Sequence, residues 1–319
     1  MGLPAGVAVG SGVIDAYAGW IGTVGTKVEN ETFGDDVKLA ASRLAAVAGT
    51  STCHLAISAD PIFVPGVWGP YRDIVIPGSW MIEGGQSATG ELIRYTIDSH
   101  PASIEAKASA RKQGQSIYDF LNSRLEKMAT DKSAPGIACL ASYFFFYGDL
   151  WGNRSPVADP RMTGAIIGLT SDTSIDNLAL HYYGAMEFIA LQTKQIAQSM
   201  GARGQNITSI VMSGSQCLNK VLMKLIATAC DMPVIIPHYQ QAAVCHGAAM
   251  LGAKAASAMT GGPTKDLWAI IRQMSKPGTQ IDPTEHGWER KLLRAKYEVF
   301  LDMCAKQQEY RAIVDRVLV

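Results

Sequence analysis

Asp15 ends an apolar run and opens a small-residue stretch, Gly12-Val13-Ile14-Asp15-Ala16-Tyr17-Ala18-Gly19. Two loops of small residues follow far downstream, Gly49-Thr50-Ser51-Thr52 and Ser213-Gly214-Ser215-Gln216. A carboxylate on a turn can take the proton of a hydroxyl that is becoming a nucleophile. Loops without bulky side chains let backbone N–H groups and hydroxyls close on phosphate oxygens. The three segments together hold the parts that phosphoryl transfer to an alcohol requires, a base for the acceptor and donors for the phosphates. Singly, each is weak: an Asp beside Gly more often bonds its own backbone in a turn, and a small-residue loop is usually only a loop.

Gly84-Gly85-Gln86-Ser87 precedes a predicted helix and would offer its N-terminus to an anion; an ordinary helix entry has the same composition. Ser213-Gly214-Ser215 stands between a predicted strand and a predicted helix carrying Asn219, an order in which ligands sit beyond the carboxyl end of the strand. It is neither G-x-G-x-x-G nor a G-K-[ST] phosphate loop, so a hydride-transfer cofactor has no support. The six histidines lack metal-ligand spacing, and His54, His181 and His246 sit among apolar residues as core or edge histidines do. No G-x-S-x-G occurs, which argues against a serine hydrolase. Trp68, Trp80 and Trp151 could stack on a ligand ring, but aromatic core packing is the expectation.

These residues need elements to hold them. Residues 7–14 read as a buried strand ending at Asp15, and 16–26 as a turn or short helix. Residues 35–47 have helical spacing through Val37, Leu39, Ala40, Leu44 and Val47, with Gly49 as terminator. Strands are expected at 53–58, 165–169, 207–212 and 233–237, with another inside 135–150. The Pro-, Gly- and aromatic-rich stretch 60–85 suits β-hairpins. Helices are expected at 87–96, 103–128, 174–200, 216–230, 241–259 and 285–314. Strands alternating with helices in the later half imply a mixed sheet with helices on its faces.

The chain has 319 residues, 28 Lys+Arg against 28 Asp+Glu, and 48% hydrophobic residues. The length corresponds to about two domains or lobes. Zero net charge without a basic cluster argues against nucleic acid. Six scattered cysteines without a C-x-x-C pair fit reduced thiols better than zinc or disulfides. The N-terminus lacks the basic-then-apolar pattern of a secretory signal. The most apolar stretch, 138–147, is too short to cross a bilayer. A soluble, cytoplasmic protein is expected.

The segments read together resemble the C-terminal half of the FGGY carbohydrate kinases, and within them the D-ribulokinase-like branch. The resemblance is carried by GVIDAYAGWIGTVG (12–25), GTSTCHLAISADPIFVPGVWGPY (49–71) and IPGSWMIEGGQSATGELI (76–93). It continues through GNRSPVADPRMTGAIIGL (152–169), SGSQCLNKVLMKLIATACDMPV (213–234) and HGAAMLGA (246–253). It implies an α/β actin-like ATPase (ribonuclease H-like) domain, a mixed sheet flanked by helices, using ATP and Mg²⁺. Carried over by position, Asp15 is the base, Gly49, Thr50 and Ser51 form the phosphate-contacting loop, and Gly85 lies on the nucleotide side. Gly214, Ser215 and Asn219 match the Gly-Gly-x-x-x-Asn element beside the adenosine. Ser215 departs from that glycine, and its Cβ and hydroxyl would crowd the nucleotide. The family's first domain, with its D-x-G-T phosphate loop and much of the sugar pocket, has no counterpart here.

The expectation is therefore that residues 1–319 form the nucleotide-binding half of an ATP-dependent kinase that phosphorylates a pentulose, D-ribulose, at a primary hydroxyl. Its partners would be ATP, a small sugar and the missing N-terminal kinase domain, with homodimer formation left open and neither nucleic acid nor a membrane involved. The alternative is a non-catalytic nucleotide-binding or regulatory actin-like domain.

Overall fold

The computed structural model describes residue 2 and residues 5–28, 37–259 and 263–318. They form two compact units: 1–85, 196–217 and 232–281 make up the first, and 86–195, 218–231 and 282–319 the second. Along the chain come helix α1 (Asp15–Thr23), the one-turn helix α2 (Lys38–Ala41), and strands β1 (Arg43–Ala48), β2 (Thr52–Ser58), β3 (Trp68–Arg72) and β4 (Trp80–Gln86). Helices α3 (Gly90–Asp98), α4 (Ser103–Lys112), α5 (Ile117–Asp131) and α6 (Ile137–Leu140) precede the pair β5 (Phe145–Gly148) and β6 (Gly164–Ile167). Then follow α7 (Ile175–Gly201), β7 (Ser209–Ser213), α8 (Lys220–Cys230), β8 (Val234–Ile236), α9 (Ala243–Ala258), α10 (Leu267–Met274), β9 (Thr279–Ile281) and α11 (Gly287–Leu318).

The first unit is built on a mixed sheet of order β3-β4-β2-β1-β7-β8-β9. β1 pairs antiparallel with β2 and parallel with β7, and β7 pairs parallel with β8. One face packs Ala45, Leu55, Ile57 and Met81 against Trp20, Ile21 and Val24 of α1, Met250 of α9, and Trp268 and Ile271 of α10. Leu44, Ala46, His54 and Ala56, alternating with them along β1 and β2, are fully buried too. A central strand covered on both sides reads as a continuous apolar run, and this overturns the helix expected over 35–47. Of that span, 35–36 lie outside the described residues, only Lys38–Ala41 is helical, and Leu44 and Val47 stand in β1. Three alanines in six residues leave helical and strand periodicity indistinguishable.

Other boundaries shift for local reasons. Residues 7–14 form no strand; Val7, Val9 and Ile14 are exposed. A Cβ on Gly10 would lie 2.8 Å from the Leu251 carbonyl carbon, so this extended segment presses on α9. Within the second unit the single helix expected over 103–128 is two, α4 and α5. Gly114 breaks it at a φ of 66°, and Ser116 caps α5 by accepting the Asp119 N–H at 3.1 Å. The tail around Pro263, Pro277 and Pro283 holds α10 and β9, which the prolines concealed.

The second unit is mainly helical, with β5 and β6 as an antiparallel pair. Its interior holds a buried ion pair, Lys296 Nζ to Glu187 Oε2 at 2.5 Å, both side chains 3% exposed. Lys296 also donates to the Ala141 and Phe144 carbonyls at 2.7 and 3.0 Å, joining α11 to the segment between α6 and β5.

Candidate functional site

Asp15 is not on a flexible turn at a strand end. It is the first residue of α1 and exposed, with Oδ1 accepting the Ala16 N–H at 2.8 Å. Two anchors orient that helix. Buried Arg43, at the start of β1, donates from Nη1 to the carbonyls of Val24 and Thr26 at 2.6 and 2.7 Å, holding the C-terminal end of α1 there. At mid-helix, a Cβ on Gly19 would meet Val47 Cγ2, near the end of β1, at 2.7 Å. Hence α1 runs antiparallel to β1, and Asp15, about 6 Å before Gly19 along the helix axis, stands beyond the C-terminal end of β1.

Contacts with α9 allow no slack in this placement. A Cβ on Gly22 would lie 2.0 Å from the Ala243 carbonyl oxygen, and one on Gly247 would lie 1.9 Å from that of Ala18. Only glycine lets the two backbones approach so closely.

Gly49, Thr50 and Ser51 also lie at the C-terminal end of β1. They form the loop of the β1–β2 hairpin, correcting the expected loop between a helix and a strand; Gly49 and Thr50 are exposed, and Gly49 N–H donates to the Ser51 carbonyl at 2.9 Å. β7 runs parallel to β1 with Val47 opposite Ser213, so the next residue, Gly214, emerges at the same sheet end. Gly214 has a φ of 99°, and a Cβ there would lie 1.9 Å from the Ala48 carbonyl oxygen. Its N–H donates to the Gln240 carbonyl at 2.8 Å, and Gln216 Nε2 reaches the Gly49 carbonyl at 2.9 Å, bonding the two loops directly. Ser215 is exposed and opens a 3₁₀ turn.

Two more predicted residues lie in other elements than expected. Gly85 is buried inside β4, and α3 starts only at Gly90, so the expected helix N-terminus at 84–87 is absent. Asn219, in the second unit, is not inside a helix but the N-cap of α8. Its Oδ1 accepts from Leu222 N–H and Asn122 Nδ2, both at 3.2 Å, and its Nδ2 donates to the Tyr182 hydroxyl at 2.6 Å.

The sequence reading missed a neighbour of Asp15. Tyr17, Trp68, Tyr71, Ile74 and Glu83 line a cavity of about 380 Å³ in the first unit. Burial first, and then the Glu83 carboxylate, to which it is hydrogen-bonded, push the Tyr17 phenol up to about 12. Glu83 stands opposite Trp68 across the β3–β4 pair. Trp68 is 45% exposed, contrary to its expected place in a core. A Tyr-Glu contact between α1 and β4 has no short-range signal; only the 66-residue separation closing in space reveals it.

The mixed sheet flanked by helices is shared with solved sugar kinases. The structure is similar to the xylulose kinase from Rhodospirillum rubrum, with a TM-score of 0.66 at 18% identity over 97% of this chain and 53% of that one. The gluconate kinase from Lactobacillus acidophilus gives a TM-score of 0.63 at 18% identity, over 89% of this chain and 49% of that one. These FGGY sugar kinases have the actin-like ATPase fold, and it is the fold of this chain. The family model "FGGY family of carbohydrate kinases, C-terminal domain" matches residues 44–256. The chain belongs to the FGGY family of carbohydrate kinases. It is 48% identical over 263 residues to a D-ribulokinase of Saccharomyces cerevisiae, covering 80% of this chain and 37% of that protein. It is 38% identical to an FGGY carbohydrate kinase domain-containing protein of Homo sapiens, over 99% of this chain and 55% of that protein. The chain thus spans about half or less of the length of these curated relatives.

Among the described residues no helix is long and apolar enough to cross a membrane.

Proposed function

We propose that residues 1–319 are the nucleotide-binding half of an ATP-dependent carbohydrate kinase that phosphorylates a pentulose, D-ribulose, at a primary hydroxyl. The observation that carries this reading is the meeting of Asp15, the 49–51 hairpin loop and the Gly214 turn at one end of the sheet. Asp15 accepts the proton of the attacking hydroxyl, and the N–H groups and hydroxyls of Thr50, Ser51 and Ser215 face the phosphates. The choice of D-ribulose follows the yeast relative.

Among the described residues no group of three or more His, Cys, Asp or Glu could hold a metal by itself. That donor set fits a Mg²⁺ carried mainly by nucleotide phosphates, which needs few protein carboxylates. When bound, the ion neutralises charge on the phosphoryl oxygens.

Tyr17, Trp68, Tyr71 and Glu83 form the sugar-facing wall of this unit: a carboxylate for hydroxyl donors, and rings for C–H faces. Initial rates of the enzyme containing this chain, on D-ribulose, D-xylulose and glycerol, test the assignment. D-ribulose is expected to have the highest kcat/KM, and Glu83→Gln to raise its KM about tenfold while leaving the KM for ATP unchanged. Preference for glycerol, or a Glu83→Gln effect on ATP alone, would sink it.

A further inference from the structure

A further cavity is lined by none of the residues assigned above. It occupies about 490 Å³ of the second unit, between the end of α3, the β5–β6 pair and α7. That volume is in the range of pockets for small organic ligands. Phe146, Leu150, Ile166 and Leu169 supply apolar walls, and Tyr95 and Ser99 stand at α3. Tyr95 is held edge-on to Trp151 at 5.6 Å between ring centroids, which fixes an aromatic wall without ligand. None of the lining residues is Lys, Arg, Asp or Glu. A nucleotide or sugar phosphate entering here would shed hydration with no ionic partner in return.

Two imidazoles also line the cavity, and they differ. His100 is fully committed: its Nδ1 accepts the Ala102 N–H at 3.1 Å, leaving Nε2–H to donate to Asn177 Oδ1 at 3.0 Å. His181 lies between His100 and Phe144, with ring centroids at 5.2 and 4.9 Å. Among the described residues no hydrogen bond reaches its ring nitrogens. Burial, and after it His100, hold the His181 imidazole below its usual value, so it is neutral near pH 7 and offers one donor and one acceptor.

We propose that this cavity binds an uncharged, ring-bearing small molecule whose hydroxyl or N–H group hydrogen-bonds to His181. The site is independent of the kinase reading, since it shares no residue with the Asp15 end of the sheet.

Fluorescence titration of the 319-residue chain with 2-naphthol tests it, with naphthalene-2-sulfonate as the charged analogue of the same ring. Saturable 2-naphthol binding is expected with a Kd of roughly 0.1–1 mM, reasonable for a ligand of about eleven heavy atoms. The sulfonate should bind at least tenfold more weakly. Ser99→Trp, at an exposed position, should abolish binding by filling the mouth. His181→Phe should weaken it about tenfold while keeping the ring contacts. Circular dichroism identifies which variants fold. No saturable binding, equal affinity for the sulfonate, or unchanged 2-naphthol affinity in either folded variant would overturn the proposal.

Discussion

Asp15 is the residue on which the proposed chemistry turns, and its surroundings separate a role as base from a role in folding. It is exposed, and its one hydrogen bond among the described residues is local, from Ala16 N–H at 2.8 Å. An asparagine can accept the same bond, so Asp15→Asn preserves the start of α1 and removes only the capacity to take a proton. In the enzyme containing this chain, the substitution is expected to lower kcat by roughly 10²–10⁴-fold, the usual worth of a positioned general base. The KM values for sugar and ATP should stay within a few-fold. Steady-state kinetics on both substrates measure this, and turnover near that of the unsubstituted enzyme would refute the role. Ser215 poses the complementary question at the proposed phosphate side: it stands exposed at the start of the 3₁₀ turn that follows Gly214.

At the scale of elements, glycines and buried charges hold the parts in place. Gly22 and Gly247 set the α1–α9 approach, and Gly214 lets the chain turn over the end of β1. In the second unit Lys296 holds α11 to α7 through Glu187, where burial raises the Glu187 carboxyl and the Lys296 charge opposes that rise. Lys296→Met leaves that carboxylate buried without its partner and is expected to cost about 3–5 kcal/mol in chemical denaturation. Adding Glu187→Met should recover at least half of the loss, and a single variant as stable as the parent would show the pair to be dispensable. Neither partner stood out in the sequence, because an isolated Lys and Glu 109 positions apart look like solvated surface charges. The later strands and helices were legible, since Ile210, Val211 and Val234 to Ile236 are short apolar runs between turn residues. Leu44 to Val47 misled because alanines satisfy both periodicities, and Val9 misled because an apolar run does not disclose whether a strand is there to pair with it. Of the candidate site, Asp15 and the two loops were singled out by type and spacing. Glu83 and Tyr17 were not, because their contact depends on how α1 lies across the sheet.

At the scale of the whole molecule, the proportion matched in the relatives sets the last expectation. The chain covers 37% of the yeast D-ribulokinase and 55% of the human relative, and its matched family model is a C-terminal domain. A kinase that closes two domains over its substrates excludes water and completes its catalytic groups only on closure. One half should therefore retain nucleotide contacts and lose turnover. Isothermal titration of the 319-residue chain with ATP and Mg²⁺ is expected to show binding, weakened to a Kd of about 0.1–1 mM because only one wall of the cleft contributes. Coupled assay of the same preparation with D-ribulose should give a rate at least about 10³-fold below the ~10 s⁻¹ typical of enzymes. Co-expression with the N-terminal part of a full-length relative should raise that rate if the two parts associate. Rapid phosphorylation by the chain alone would show that its own residues complete the sugar site, and undetectable ATP binding would favour a regulatory actin-like domain that has kept the sheet and lost the ligand.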